Sequence, residues 1–134
     1  MLKLTLLLTT IFSMLGSSLT LGGTTEYKCT VETEINTKNR SFIENSVFAG
    51  ESFTVNRVTG LIKGKLVSNK NSDKRSVIHP GDLKNGFKVI SYSYLDQMKT
   101  KANARYLYVN SYEKTHKKSF VFHDGLHLLT GNCI

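Results

Sequence analysis

Proline is nearly absent from this chain. Pro80 is the only one in 134 residues, so no proline-rich linker divides it. No repeat or low-complexity tract replaces one. Cysteine is scarce too. The two present, Cys29 and Cys133, have no second Cys or His at finger-like spacing, which argues against a zinc module. Long hydrophobic runs are missing. The longest, Leu4 to Leu15 within "MLKLTLLLTTIFSMLGSSLTLGG", falls short of the roughly 20 apolar residues of a membrane span. Carboxylates are few, 10 against 18 Lys and Arg. There is no Gly-x-Ser-x-Gly elbow and no phosphate-cradling glycine loop. Catalytic residues, metal ligands and cofactor motifs therefore find no support in the sequence, and the expectation is a protein that is not an enzyme.

The N-terminal run has one positive charge at Lys3, an apolar stretch and then small residues. That order is a secretory signal peptide, expected over residues 1–22 with cleavage between Thr20 and Gly23. Residues 23–134 are then a single exported domain, periplasmic or secreted, with no transmembrane segment after processing. Setting Lys3 aside leaves 17 basic residues against 10 acidic ones, a net charge of +7. In an oxidising compartment Cys29 and Cys133 are expected to form a disulfide. A closed loop of about 100 residues is worth up to about 4.7 kcal/mol in the chain-entropy picture.

What dominates the mature chain is alternation, the mark of half-buried strands. "EYKCTVETE" sets Tyr27, Cys29 and Val31 against Lys28, Thr30 and Glu32. "GFKVISYSY" sets Phe87 and Val89 against Ile90, Tyr92 and Tyr94. "ARYLYVNSYE" sets Leu107 and Val109 against Tyr106, Tyr108 and Tyr112. In "ESFTVNRVTGLIKGKLVS" a two-residue turn at Thr59–Gly60 pairs Phe53 with Leu66, Val55 with Gly64 and Arg57 with Ile62. Pro80-Gly81 and Asn85-Gly86 read as turns. Leu95 to Ala104 lacks an apolar stripe and reads as a loop or one or two helical turns. The expected fold is all-β, an antiparallel small barrel or sandwich of about seven to eight short strands, with the near-terminal strands joined by the disulfide.

"FVFHDGLHLL" holds the one constellation that looks like chemistry, His123 and His127 four apart beside Asp124. A zinc-protease helix carries His-Glu-x-x-His, with both histidines on one helical face. Here Asp124 stands for Glu and Gly125 interrupts the motif. A hairpin with the three-residue loop His123-Asp124-Gly125 sorts better. It puts Phe120, Phe122, Leu126 and Leu128 on one face, His123 in the turn and His127 on the other face. Glu32 and Glu34 share a face of an edge strand, where they are solvated. A small metal-dependent hydrolase using His123 and His127 remains the enzymatic alternative.

Basic charge is the other lead. Lys63, Lys65, Lys70, Lys74 and Arg75 form a candidate anion-binding cluster. Lys114, Lys117 and Lys118 form a second, and Lys99, Lys101 and Arg105 a third. A positive field attracts polyanions and anionic envelope surfaces. The partner expected is an unknown protein or an anionic envelope component. Nucleic acid is not expected, because an exported protein rarely meets it in the cell, and the domain is expected to be monomeric.

The runs "FTVNRVTGLIKG", "GFKVISYSY", "LYVNSYEKTHKKSFVF" and "LTGNC" resemble a group of small exported bacterial proteins of proteobacterial type with no assigned activity. The Phe-x-Val-x-Arg-x-Thr-Gly run, Phe53 to Gly60, is its most specific part. The resemblance covers most of the mature chain and implies an exported single domain without carrying any catalytic residue. At fold-class level the chain is also similar to periplasmic lysozyme inhibitors, which makes an inhibitor of a secreted or envelope enzyme a further alternative. Lysozymes are basic, however, and would be repelled by a +7 partner.

Overall fold

The computed structural model describes residues 25–134; the expected signal segment, residues 1–22, lies outside them. Eight strands appear in order: β1 (Glu26–Asn36), β2 (Ser52–Asn56), β3 (Ile62–Gly64), β4 (Lys74–Pro80), β5 (Phe87–Tyr94), β6 (Ala102–Val109), β7 (Lys118–His123) and β8 (His127–Cys133). They form one antiparallel sheet in the order β3-β2-β1-β8-β7-β6-β5-β4. Every strand therefore lies beside its neighbour in sequence, apart from the β3-to-β4 passage, and β1 lies beside β8. No helix among the described residues is long and apolar enough to cross a membrane, and residues 95–101 form a turn rather than helix.

The expected alternation holds along β5 and β6, where Phe87, Val89, Leu107 and Val109 are buried. Phe53 and Phe120 meet edge-to-face at 5.2 Å, although β2 and β7 are separated in the sheet by β1 and β8. Tyr27 on β1 likewise meets Phe87 on β5 at 5.5 Å. Such contacts require the sheet to curl onto itself, and it forms a half barrel whose concave face is the core.

The two edges, β3 and β4, do not pair with each other. Their seam is bridged by side chains instead. Buried Asn69 accepts from the Ile62 N–H at 2.8 Å and donates to the Gly60 carbonyl at 2.9 Å. Arg57 donates to the Pro80 carbonyl at 3.3 Å, and Arg75 to the Asn69 carbonyl at 3.3 Å. Satisfying edge groups in this way hides strand edges that would otherwise template aggregation.

The disulfide is present. Cys29 and Cys133 are direct partners in the β1–β8 ladder and are joined through sulfur across a separation of 104 residues.

Two hairpin registers differ from those expected. Phe53 pairs with Gly64 and Val55 with Ile62. The turn is longer than two residues because Asn56 folds it: its side-chain oxygen accepts the Val58 and Thr59 N–H groups, and its carbonyl accepts that of Gly60. A shift of two preserves the faces, so Phe53, Val55 and Ile62 stay buried, while Leu66 falls outside the strand and Val67 is buried in its place. In the β7–β8 hairpin the loop is Gly125–Leu126, not His123-Asp124-Gly125. Asp124 bonds the His127 carbonyl through its N–H, and its carboxylate accepts the Leu126 and His127 N–H groups. Gly125 has φ +94, the left-handed region that glycine enters without penalty. Phe122 consequently pairs with Leu129 and His123 with Leu128. Leu129 enters the core, whereas Leu126 sits at the tip, 74% exposed.

Candidate functional site

Strand β1 alternates regularly up to Val31, then breaks step. Its register with β8 runs Val31 to Gly131 and then Thr33 to Thr130, so Glu32 is the extra residue of a bulge. A bulge reverses the facing of everything beyond it. Glu34 therefore turns to the core side, opposite Leu129, and is only 5% exposed. The expected picture of Glu32 and Glu34 as a solvated pair on an edge strand is overturned: β1 is central, and the bulge separates the two. Glu32 remains outside and accepts the Asn132 amide at 2.6 Å.

Buried Glu34 collects two donors from opposite sides. The Ser46 hydroxyl donates to one oxygen, and His127 Nδ1 donates to the other at 2.6 Å. The imidazole lies 4.8 Å from the Phe48 ring and is about one-third exposed at 36%. His127 was expected on the outer face; the shorter hairpin loop turns it inward, with Leu129 and Gly131. His123 occupies the opposite face and belongs to no shared site with it. A carboxylate behind an imidazole is the orienting half of a catalytic triad. Here, however, the hydroxyl bonds the carboxylate and not the imidazole, so nucleophile, base and acid are not in series. Among the described residues, no three His, Cys, Asp or Glu side chains gather as a metal site. What Glu34 does is fasten the 37–51 connection to the β7–β8 hairpin.

The outer face carries a recess, a groove of about 580 Å³ over β3, β2, β1 and β8. Small polar side chains are set into a largely apolar lining. Thr30 and Ser52 share a hydroxyl–hydroxyl bond at 3.2 Å, and Thr54 and Asn132 flank them. Lys28, Lys63 and Lys117 stand around it, against the single carboxylate side chain of Glu32. The geometry follows from the alternation: Lys28, Thr30 and Glu32 face outward because Tyr27, Cys29 and Val31 face the core. Among the lining residues, positive charge exceeds negative, and Glu32 is already hydrogen-bonded.

Of the five-residue basic cluster of the sequence, only Lys63 is in the groove lining. Arg75 binds the carbonyls of Asn69 and Lys70 and belongs to the seam; Lys65, Lys70 and Lys74 are exposed and lie outside the groove lining. Lys28 and Lys117 take their place beside Lys63. Lys28 was legible as an outward residue of β1. Its meeting with Lys63 depends on strand pairing across the sequence, and that of Lys117 on the β6–β7 connection. In the third basic cluster, Lys99 lies 5.5 Å over the Tyr94 ring, and Arg105 bonds Ser72 and Ser93.

Acidic groups elsewhere hold turns together. Asp82 accepts the Lys84 and Asn85 N–H groups, each at 2.7 Å, and these backbone bonds hold its carboxyl below the usual range. The Ser119 hydroxyl does the same for Glu113. The Tyr108 phenol is pushed up to about 12, first by its hydrogen bond with Tyr112.

Comparison with family models, with curated proteins and with solved structures gave no match.

Proposed function

We propose that the protein is an exported, non-catalytic β-domain that binds an anionic partner at the bacterial envelope or outside the cell. The observation that carries this reading is the outer groove, where Lys28, Lys63 and Lys117 meet the hydroxyls of Thr30, Ser52 and Thr54 and the Asn132 amide. Hydroxyls and amides bond a polar ligand's oxygens, while the ammonium groups supply long-range attraction. Its place on the rigid side of a disulfide-joined strand pair favours binding without rearrangement. The likeness to small exported proteins is consistent with that setting.

The test is retention of the purified mature domain on immobilised heparin and on anionic lipid vesicles through a salt series. Retention should be strong at low salt and fall as screening shortens the field's reach. Lys63→Ala and Lys117→Ala should each elute earlier than wild type, and Lys74→Ala should not. A protein that flows through every anionic matrix at low salt would refute the reading.

A further inference from the structure

A second cleft, of about 540 Å³, lies at the lip of the half barrel where β1 begins. Arg57, His116 and Lys118 line it, with Asp82 as the sole carboxylate side chain. Ile134 lines both recesses. The β6–β7 connection also reaches both, giving Lys117 to the outer groove and Thr115, His116 and Lys118 to the second cleft. The two are therefore neighbours across one wall. We propose that they form a continuous track for a linear acidic polysaccharide, a chain bearing carboxylate or sulfate groups at successive sugars. This rests on the anion-binding reading above and names its ligand.

Three observations favour that class. The first is repetition of charge: Lys28, Lys63 and Lys117 in one recess are followed by Lys118 and Arg57 in the next. A single small anion would occupy one recess and leave the other empty, whereas a polymer with regularly spaced charges fills both. The carboxylate side chains within the track are already engaged, Glu32 by Asn132 and Asp82 by two turn N–H groups. The second is a largely apolar lining with polar side chains set into it, which suits the C–H faces of sugar rings as well as their hydroxyls. Thr30, Ser52 and Asn132 in the groove, and Ser111 and Thr115 in the cleft, match sugar hydroxyls. The third separates glycans from nucleic acids. Single-stranded nucleic acid needs exposed aromatic faces on which bases stack. Of the aromatic side chains that line these recesses, Phe53 and Tyr27 are 2% and 5% exposed, which leaves the His116 imidazole as the one exposed ring, too few for successive bases to stack. Tyr27 is also covered by the Arg57 guanidinium at 4.9 Å. The more accessible tyrosines lie on β5 and β6 and in the turn after β6, outside both linings.

Calorimetry with size-defined oligosaccharides at low salt tests this, using oligogalacturonates for carboxylate and heparin-derived fragments for sulfate. Affinity should rise by about tenfold or more from disaccharide to decasaccharide as the second recess is engaged. Lys63→Ala in the groove and Lys118→Gln in the cleft should each weaken the decasaccharide by about fivefold, the scale of an exposed ion pair. Only Lys63→Ala should weaken a disaccharide seated in the groove. Because the Lys118 ammonium also bonds the Glu113 carbonyl, His116→Ala is the second cleft variant, and unchanged melting certifies both folds. Equal affinity for short and long fragments, with the cleft variants silent, would overturn the track while leaving anion binding in the groove intact. Binding of single-stranded DNA or anionic vesicles with no oligosaccharide binding would overturn the polysaccharide alone. No binding to any of them would remove both readings.

Discussion

The Glu34 carboxylate is the place where a single substitution should reveal most about this fold. It is 5% exposed and accepts from Ser46 and from His127 at 2.6 Å. Hydrogen bonds to a charged group contribute about 1.5–3 kcal/mol each. Two of them give a gross figure of about 3–6 kcal/mol, which must be set against the penalty of burying the carboxylate, relieved when it is removed. The part-exposed His127 ring can regain water, which trims the loss further. Glu34→Ala should therefore destabilise the domain by about 2–3 kcal/mol. At about 4–8 °C per kcal/mol for a domain of this class, melting should fall by about 10–20 °C. Urea unfolding followed by circular dichroism measures it, and the cycle with His127→Ala should give a coupling of about 1 kcal/mol. The damage should be local before it is global. Ile43 N–H bonds the Glu34 carbonyl, so hydrogen exchange at Ile43 and across residues 37–51 should accelerate in both single variants. A loss under about 0.5 kcal/mol, with no coupling and unchanged exchange, would refute the fastening role argued for Glu34.

Three other outcomes follow from the same structure. The oxidised domain should gain the mass of two hydrogens on reduction, and lose about 2–5 kcal/mol of stability when Cys29 and Cys133 are both replaced by Ala; denaturation with and without reductant checks it. Gly131→Ala should be among the most damaging substitutions, because a Cβ there would sit 2.1 Å from the Thr30 carbonyl oxygen and 3.0 Å from the Glu32 nitrogen; soluble yield and melting report it, and an unchanged melting temperature would contradict the bulge geometry. On acidification, Glu113, Asp82 and Asp96, all with lowered carboxyl pKa values, contribute stability that is present above their unfolded values near about 4 and is lost as pH falls through the folded ones. Melting should therefore drop below about pH 4, and Ser119→Ala should lessen the part due to Glu113, whose largest lowering cause is that hydroxyl.

Much of the fold could be read from alternation because alternation is local. Tyr27, Cys29 and Val31, or Phe87 and Val89, declare their faces without reference to any partner. The disulfide was readable for a different reason, since two cysteines leave only one possible pairing within the chain. What escaped was set by contacts between distant segments. "TVETE" continues the period of two without a visible break. Its bulge shows only against Gly131, where two backbones come close enough to exclude a side chain. Burial of Glu34 and the inward turn of His127 both depend on such non-local facts, the latter on how Asp124 folds the hairpin. The Asn56 turn shifts the β2–β3 register by two residues from the expected one, which spares the faces and keeps Phe53, Val55 and Ile62 in the core. The outer groove combined a legible part, the outward Lys28, with the illegible meeting of β1, β3 and the β6–β7 connection.

The pairing of Cys29 with Cys133 also determines how the domain carries force. Tension entering through the segments before residue 29 and after residue 133 meets a covalent bond between two directly opposed strands. The load passes through sulfur and bypasses the intervening chain, so the hydrogen-bonded ladders from β2 to β7 are left unstretched. Tethered at its ends, such a domain behaves as a fixed link rather than a spring. Only reduction of that bond would transfer the pull to the strands.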